Sequence, residues 1–267
     1  MIGAVQPDVV AHRGASAHRA EHTVAAYALA IEQGADGLEC DVRLSRDGHL
    51  VCVHDRKVDR TSSGKGVVST LTLERLSQLD YGSWYPGMPE TADELLRPPD
   101  ESERGVLTLE SLLDLVEANR GIKLFVETKH PVRYGGLVET KLIAMLRRYG
   151  LARPKSKEDS PVVMMSFSSR AVRRVRDHTD TLPTVLLLDQ LSVTRWDGTL
   201  PSYADYTGPG VHILRHDPDY VERARSFGAE TYVWTVDDAE DVALCTKLDV
   251  RFLATNSPAT TVKLLNR

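Results

Sequence analysis

The chain has 267 residues, and its 33 lysine and arginine residues against 38 aspartate and glutamate residues give a formal net charge of −5. This mildly acidic balance argues against a nucleic-acid-binding protein, because affinity for a phosphate backbone comes mostly from clustered positive charge. No apolar run approaches the ~18 residues of a membrane-spanning helix, so we expect no transmembrane segment. The length allows one large domain or two small ones.

Three cysteines are too few for a disulfide framework. The first residues also lack a basic segment followed by an apolar one, so we expect no signal peptide and a cytoplasmic location. In a strand, Cys40 would point to the opposite face from its neighbour Asp41, while Cys52, two residues before His54, would point to the same face as His54. If His54 points to the same site as Asp41, the two cysteines face opposite ways and cannot bridge.

Nine short β-like runs alternate with helical patterns along the chain. Most runs are continuous in Val, Ile and Leu, which is typical of strands buried on both faces. Alternation of this kind predicts parallel strands with crossover helices, and about 250 residues of it is the usual size of a (β/α)8 TIM barrel. The runs are Val9–Arg13, Gly37–Arg43, Leu50–Asp55, Lys123–Lys129, Val162–Phe167, Thr184–Asp189, Gly210–Leu214, Thr231–Val236 and Arg251–Asn256.

Several helices have clear end signals. A helical pattern over Thr23–Gln33 is followed by Gly34, and further patterns cover Leu137–Tyr149 and Ser168–His178. Three further helices are predicted to begin at an Asp or Ser cap. Their starts are Asp217-Pro218, Asp237 with Glu240 three residues later, and Ser257-Pro258.

Nine strands are one too many for the barrel. The link between Val42 and Leu50 is far shorter than a parallel crossover, and it contains Asp47-Gly48, a strong hairpin signal. We therefore interpret Leu50–Asp55 as the returning arm of a hairpin on strand 2. This arm brings His54 back to the level of Asp41.

One long stretch departs from the alternation. From about Arg56 to Arg104 the chain is rich in Thr, Ser, Gly, Pro and acids, with one short helical pattern near Thr72–Leu79. We expect a small insertion subdomain there, after strand 2 and above the barrel mouth, within a single domain of residues 1–267. The regular pattern resumes at Thr108–Ala118, and Gln190–Pro209 shows no convincing helix where one is expected.

Three acidic residues lie in predicted strands, at the end of the barrel where active sites form. Glu39 and Asp41 are two apart and share one face of their strand, and Glu127 lies on the next barrel strand. Burying three carboxylates without compensation would be very costly, so they point to a hard divalent cation, Mg2+ or Ca2+. The alternative is that each acid pairs with a basic neighbour.

Two histidines and two basic residues flank this acidic cluster. His12 and His54 lie at predicted strand ends and suit proton transfer near neutral pH. Arg13 and Lys129 are placed to meet an anion. Three carboxylates, two bases and one divalent cation give a charge of about +1, which a phosphodiester monoanion would neutralise.

An aromatic residue lies at the same end of the barrel. Trp234 ends the seventh barrel strand, where it either joins the core or packs against an alkyl group of a ligand.

The chain resembles the glycerophosphodiester phosphodiesterases over essentially its whole length. The match is carried by motifs that are weak singly and specific jointly. They are His12-Arg13-Gly14, Glu21 and Thr23, Gly34-Ala35-Asp36, Glu39-x-Asp41, Asp47-Gly48, His54-Asp55, Arg60-Thr61, Glu127-x-Lys129, Ser166-Phe167, Val233-Trp234-Thr235-Val236 and Thr255-Asn256-x-Pro258.

The resemblance implies a TIM barrel that hydrolyses glycerophosphodiesters, such as glycerophosphocholine or glycerophosphoethanolamine, to sn-glycerol 3-phosphate and an alcohol. It leaves open whether the nucleophile is the glycerol 2-hydroxyl or a water. It implies that one divalent metal is held by three acids, that two histidines are the acid and base, that two cations bind phosphate, and that a tryptophan lines the glycerol side. These are Glu39, Asp41 and Glu127; His12 and His54; Arg13 and Lys129; and Trp234.

The chain departs from the family in one place. The usual Pro-Glu-Asn-Thr run reads Ala20-Glu21-His22-Thr23. Glu21 remains as a possible outer ligand or partner of Arg13. His22 replaces the asparagine, so the hydrogen bond that the amide would make is either lost or replaced by one from the histidine.

Two other functions remain open from the sequence. A lysophospholipase D or sphingomyelinase D-like enzyme would use the same site on longer lipids, and an exposed apolar rim in the 56–104 insertion would favour it. Tyr81–Met88 has some aromatic character there, but its neighbours are polar. A non-catalytic glycerophosphodiester-binding barrel would tolerate the loss of a histidine or an acid, whereas every expected position is filled here.

Overall fold

A computed structural model describes residues 6–85, 104–190 and 196–267. Nine strands form one sheet. The strands are β1 (Asp8–His12), β2 (Gly37–Leu44), β3 (Leu50–Cys52), β4 (Lys123–Thr128), β5 (Val162–Ser166), β6 (Thr184–Leu188), β7 (Tyr206–Pro209), β8 (Glu230–Val233) and β9 (Phe252–Thr255).

Helices lie between most of these strands. They are α1 (Val24–Glu32), α2 (Leu73–Ser77), α3 (Leu109–Ala118), α4 (Leu137–Arg148), α5 (Ser169–His178), α6 (Val211–His216), α7 (Tyr220–Ser226), α8 (Ala239–Lys247) and α9 (Pro258–Leu264), with a 3-10 turn at Val68–Thr70. Within the described ranges, no helix combines the length and apolar character needed to cross a membrane.

The sheet closes into a barrel of eight parallel strands, as predicted. Its order runs β1, β2, β4, β5, β6, β7, β8, β9 and back to β1. Strand β3 pairs antiparallel with β2 outside this ring, with Cys52 opposite Val42. The predicted hairpin is therefore confirmed, and the backbone N–H of Val53 donates to the carbonyl of Asp41 at 2.9 Å.

Three apolar clusters hold these layers together. One fills the barrel interior around Phe125, whose ring contacts those of Tyr232 and Phe252. A larger one lies between the strands and the helices. The third joins β3 to the described part of the 56–104 stretch, and it includes Val53, Leu76 and other buried side chains. Residues 86–103 of that stretch lie outside the described residues.

The prediction of a strand at Gly210–Leu214 is wrong. Those residues enter helix α6, and the strand is β7, just before them. A short apolar run does not distinguish a buried strand from a buried helix, and Gly208 and Pro209 hide the strand pattern of β7. Gly208 is needed there, because a Cβ would come within 2.7 Å of the Leu187 side chain.

The predicted orientation of two cysteines is also wrong. Cys52 lies opposite Val42 in the hairpin, so it has the same face as Cys40, and both are buried in the layer under the helices. Strand β3 ends at Cys52, so its alternation does not extend to His54. Both thiols are free.

Two predicted helix starts are shifted by one or two residues, and one is confirmed. The helix predicted from Asp217 begins at Tyr220, with Asp219 as its N-cap. The helix predicted from Asp237 has Asp238 as its N-cap. Helix α9 begins at Pro258 with Ser257 as its N-cap, as predicted.

Candidate active site

The strand register brings the chemically active side chains to one end of the barrel. His12, the last residue of β1, lies opposite Glu39 of β2. Asp41 lies opposite Glu127 of β4. Because parallel strands all end at the same rim, the hairpin arm that returns His54 to the level of Asp41 completes the cluster there.

A cavity of about 390 Å3 opens at this rim, and we call it the active-site cavity. Seven of the ten predicted site residues line it. Behind them, Asp41 and Glu21 contact Arg13, and His22 contacts Asp41. Apolar side chains form the opposite wall. The predicted lining residues are His12, Arg13, Glu39, His54, Glu127, Lys129 and Trp234, and the wall contains Met165, Phe167, Leu187 and Tyr232.

The three acids converge as the strand pattern predicted. One carboxylate oxygen each from Glu39, Asp41 and Glu127 lies within 4.8 Å of the others, and all three residues are buried. Burial and the neighbouring Asp41 charge raise the pKa of Glu127 to about 8. Burial, followed by the Asp41 charge, also raises the pKa of Glu39 well above its usual value. An all-oxygen donor set of this kind fits a hard divalent cation, whose charge would offset the carboxylate repulsion.

Basic residues already compensate one acid of this cluster. Lys129 Nζ lies 3.2 Å from Asp41 Oδ1 and 2.9 Å from Glu127 Oε1. Arg13 Nε lies 3.1 Å from Asp41 Oδ2, and its backbone N–H donates to Glu39 Oε2 at 3.0 Å. Burial would raise the pKa of Asp41, but Lys129, the hydrogen bond from His22 and Arg13 hold it well below its usual value. Pairing with basic neighbours therefore accounts for Asp41 and leaves Glu39 and Glu127 with raised pKa values.

His22 supports this cluster from behind. Its Nε2 lies 3.0 Å from Asp41 Oδ2, and its Nδ1 lies 2.8 Å from the Tyr27 hydroxyl. That hydroxyl donates to the carbonyl of Glu39 at 2.9 Å. The residue at the position of the family asparagine thus connects Asp41 to Tyr27 and, through it, to the backbone of β2.

Each predicted catalytic histidine is held through Nδ1. His12 Nδ1 lies 2.8 Å from Asn256 Oδ1, and His54 Nδ1 lies 2.7 Å from Asp55 Oδ1. Burial, followed by the charge of Arg13, lowers the pKa of His12 to about 4. Burial also lowers the pKa of His54, while the charge of Asp41 and the hydrogen bond to Asp55 act against this shift. In both rings Nε2 is the nitrogen left to meet a ligand.

Two residues behind His12 were missed by the sequence analysis as parts of the site. Asn256 Nδ2 donates to Asp237 Oδ2 at 2.6 Å, and the Asn256 backbone N–H donates to Asp237 Oδ1 at 2.7 Å. A carboxylate only accepts, so Asp237 directs the Asn256 amide nitrogen to itself and the amide oxygen to His12. The position of Asn256 at the end of the last strand was the available signal.

Arg60 was likewise named only as part of a motif. It donates to both oxygens of Asp55 at 2.8 and 3.2 Å and to both oxygens of Glu21 at 2.9 and 2.8 Å. Glu21 in turn accepts from Arg13 at 3.2 Å. Arg60 therefore joins the partner of His54 to the partner of Arg13 across the mouth of the cavity.

Trp234 forms part of the apolar wall. Its indole N–H donates to the carbonyl of Gly208 at 2.8 Å, and its ring meets that of Phe167 edge-on with centroids 5.2 Å apart. Phe167 is 42% exposed and lies under Lys129 Nζ at 5.8 Å. This pair gives an alkyl or glycerol group an aromatic surface beside the cations.

Comparison with known proteins places these features in one family. The model of the glycerophosphoryl diester phosphodiesterase family matches residues 12–260. A probable glycerophosphodiester phosphodiesterase 1 of Mycobacterium tuberculosis is 48% identical over 258 residues, which cover 96% of this chain and 91% of that protein. A glycerophosphodiester phosphodiesterase of Bacillus subtilis is 34% identical over 254 residues, covering 93% of this chain and 83% of that protein.

Solved structures show the same fold. The phosphodiesterase of Oleispira antarctica in complex with the product sn-glycerol-3-phosphate is 22% identical, with a TM-score of 0.82 and coverage of 98% of each chain. The glycerophosphodiester phosphodiesterase of Thermotoga maritima is 23% identical, with a TM-score of 0.71 and coverage of 97% of this chain and 99% of that one.

Proposed function

The chain belongs to the glycerophosphoryl diester phosphodiesterase family, and we propose that it hydrolyses glycerophosphocholine, glycerophosphoethanolamine and similar diesters to sn-glycerol 3-phosphate and an alcohol. One arrangement carries this proposal. Three buried carboxylates lie within 4.8 Å of one another, and two of them line a cavity together with two histidines. Each histidine is held through Nδ1, so that Nε2 is left for a substrate.

Glu39, Asp41 and Glu127 would hold one Mg2+ or Ca2+ ion. When bound, such an ion supplies Lewis-acid stabilisation of charge on the phosphate oxygens. The raised pKa values of Glu39 and Glu127 support this assignment: the contact of Glu127 with Lys129 does not offset its burial and the charge of Asp41, so a bound cation would stabilise both ionised carboxylates.

Arg13 and Lys129 bind the nonbridging phosphate oxygens. Both cations line the cavity, and both are held by Asp41, which leaves their remaining N–H groups for a ligand. The guanidinium of Arg13 presents a planar fork that suits two oxygens of one phosphate. Their positive charge also stabilises the negative charge that develops as the phosphodiester is attacked.

His12 is the general base and His54 the general acid. The Nδ1 partner of His12 is a neutral amide, and its lowered pKa keeps the ring neutral, as a base requires. The Nδ1 partner of His54 is the Asp55 carboxylate, which opposes the lowering of the His54 pKa by burial and so favours the protonated ring more than the amide beside His12 does. His12 Nε2 takes the proton of the attacking water or glycerol 2-hydroxyl, and His54 Nε2 gives a proton to the leaving alkoxide. If the 2-hydroxyl attacks, a cyclic phosphate forms as the alcohol leaves; His54 then takes a proton from a water that opens the ring at phosphorus, and His12 protonates the 2-oxygen, which gives sn-glycerol 3-phosphate.

The remaining groups shape the site and its surroundings. Trp234 and Phe167 line the glycerol side, and the 56–104 insertion within the single domain shapes the alcohol side. Three free, buried cysteines support a reducing, cytoplasmic setting.

The test is the turnover of glycerophosphocholine, glycerophosphoethanolamine and lysophosphatidylcholine by the Mg2+-loaded protein, each with and without a chelator. Turnover of the two small diesters is followed as released sn-glycerol 3-phosphate, and turnover of the lysolipid as released choline. We expect turnover of the two small diesters that the chelator abolishes. Cleavage of the lysolipid alone would indicate a lipid phosphodiesterase, and binding without turnover would indicate a non-catalytic binding protein. Full activity in the presence of the chelator would show that the reaction needs no metal.

A further inference from the structure

A second cavity, of about 520 Å3, lies next to the active-site cavity and has no role in the proposed reaction. The two cavities share two chain segments. His54 lines the first and Arg56 the second, and Lys129 lines the first and Pro131 the second. The hydroxyl of Tyr134 donates to the carbonyl of Ser69 at 3.3 Å, which joins the segments that form the second cavity.

Three arginines line this second cavity, and among its lining residues in the described ranges there is no carboxylate. Arg43 directs Nε and Nη2 to the carbonyl of His54, at 3.0 and 2.7 Å. The guanidinium of Arg133 lies 5.5 Å from the ring centroid of Tyr134. None of the three, including Arg56, forms an ion pair with a described acid. Three guanidinium groups around a hollow whose described lining carries no carboxylate favour an anionic ligand.

The position of Arg43 distinguishes this hollow from an ordinary solvated surface. Arg43 is only partly exposed, and its Nε and Nη2 are fixed on the His54 carbonyl. Its guanidinium is therefore held in one place on the wall of a hollow that Arg56 and Arg133 also line.

We propose that the second cavity is a binding site for a phosphate-class dianion, separate from the site of the scissile phosphodiester. Arg43 already directs Nε and Nη2 to the His54 carbonyl, but Arg56 and Arg133 can each present a fork to two phosphate oxygens, and their two positive charges match a phosphate or phosphate-monoester dianion. Because Arg43 also holds the backbone of His54, an anion there changes the position of His54. This effect on turnover, unlike the binding itself, rests on the proposed role of His54.

The binding is tested first without turnover, by equilibrium dialysis of radiolabelled inorganic phosphate against the full, Mg2+-loaded chain. The variant is R56Q/R133Q, which leaves Arg43 and its bonds to His54 in place. We expect two phosphates per chain in the unmodified protein and one in the variant, whose second site is weakened by about tenfold or more. The control variant R120Q/R147Q removes two exposed charges elsewhere and keeps both sites.

The coupling is tested by phosphate inhibition of glycerophosphocholine turnover. Phosphate in the active-site cavity alone raises KM and leaves kcat unchanged. We expect phosphate to change kcat as well in the unmodified protein and in R120Q/R147Q, and only KM in R56Q/R133Q. Binding of one phosphate per chain in the unmodified protein, or of two in R56Q/R133Q, would overturn the proposed second site. If the stoichiometries are as expected but no diester is turned over, the proposed function is wrong and the second site stands.

Discussion

His12 Nδ1 and Asn256 Oδ1 lie 2.8 Å apart, at the junction of the first and last strands of the barrel. Asp237 fixes the amide of Asn256 so that its oxygen faces the imidazole. A donor at Nδ1 leaves the lone pair of the neutral ring on Nε2, inside the active-site cavity. The contact therefore assigns the tautomer that a general base needs.

Replacing Asn256 with leucine should lower kcat for glycerophosphocholine by about 10- to 100-fold with little change in KM, because outer partners of this kind orient the reacting group. Steady-state kinetics measure the effect. Asn119→Leu is the control, because the amide of Asn119 donates only to the carbonyl of Leu115, away from the site. An Asn256→Leu enzyme within twofold of the unmodified kcat would remove Asn256 from the account.

Arg60 should be a positioning residue, because it holds Asp55 and Glu21 in one geometry through four hydrogen bonds. Arg60→Lys keeps the positive charge but loses the paired hydrogen bonds to each carboxylate, so we expect kcat to fall about tenfold. We expect the kcat of Arg60→Gln to be lower still, because the charge is lost as well. Arg75→Gln is the control, since that exposed side chain donates to Gln78 outside the site. If Arg60→Lys has full activity, only the charge matters, and the geometric argument fails.

Metal binding should release protons, and the release should fall as pH rises. The pKa of Glu127 is about 8 without a cation, so at pH 6.5 a metal must displace its proton, whereas at pH 9 it is already ionised. A raised carboxyl pKa also stabilises the metal-free fold at low pH, and this contribution is lost as pH rises from about 4.5 to 8. Mg2+ should therefore raise Tm more at pH 8.5 than at pH 6.

Titration calorimetry in buffers of different ionisation enthalpy measures that proton release. Glu127→Gln serves as the matched variant, because it keeps the shape and removes the titrating group. A proton count that does not change with pH would contradict the raised pKa.

Gly14→Ala should destabilise the fold by roughly 3 kcal/mol, because it combines an unfavourable backbone conformation with overpacking. Gly14 has φ +86°, and a Cβ there would lie 2.8 Å from the Ala26 backbone. Gly121→Ala is the control, since Gly121 has φ +102° and no atom within 4 Å of the added Cβ. Chemical denaturation of both variants separates the cost of the backbone conformation from the cost of overpacking. Equal losses of unfolding free energy in the two variants would show that the contact with Ala26 contributes nothing.

The sequence predicted what strand alternation controls. Glu39, Asp41 and Glu127 are found in parallel strands that end at one rim, so a period of two and the barrel closure suffice to bring them together. It failed where a local pattern was ambiguous. The residues of β7 include Gly208 and Pro209, which are rare in strands. The predicted orientation of Cys52 assumed that its strand continues to His54, whereas β3 ends at Cys52.

Contacts between distant loops were not predictable from one sequence. Arg60 meets Glu21 across 39 residues, and Asn256 meets His12 across 244. Neither separation follows from a helical or strand period. Arg60 and Glu21 lie on loops, and His12 meets Asn256 because the barrel closes between its first and last strands. Side-chain partners of this kind become visible only when the fold has brought the loops together.

The most direct test of the account is the turnover of glycerophosphocholine by Mg2+-loaded His12→Ala and His54→Ala, each checked for unchanged Tm and Mg2+ affinity. We predict that each substitution lowers kcat by at least about 100-fold, because each removes one of the two proton-transfer groups. Near-normal kcat in both folded, metal-binding variants would contradict acid–base catalysis by this pair.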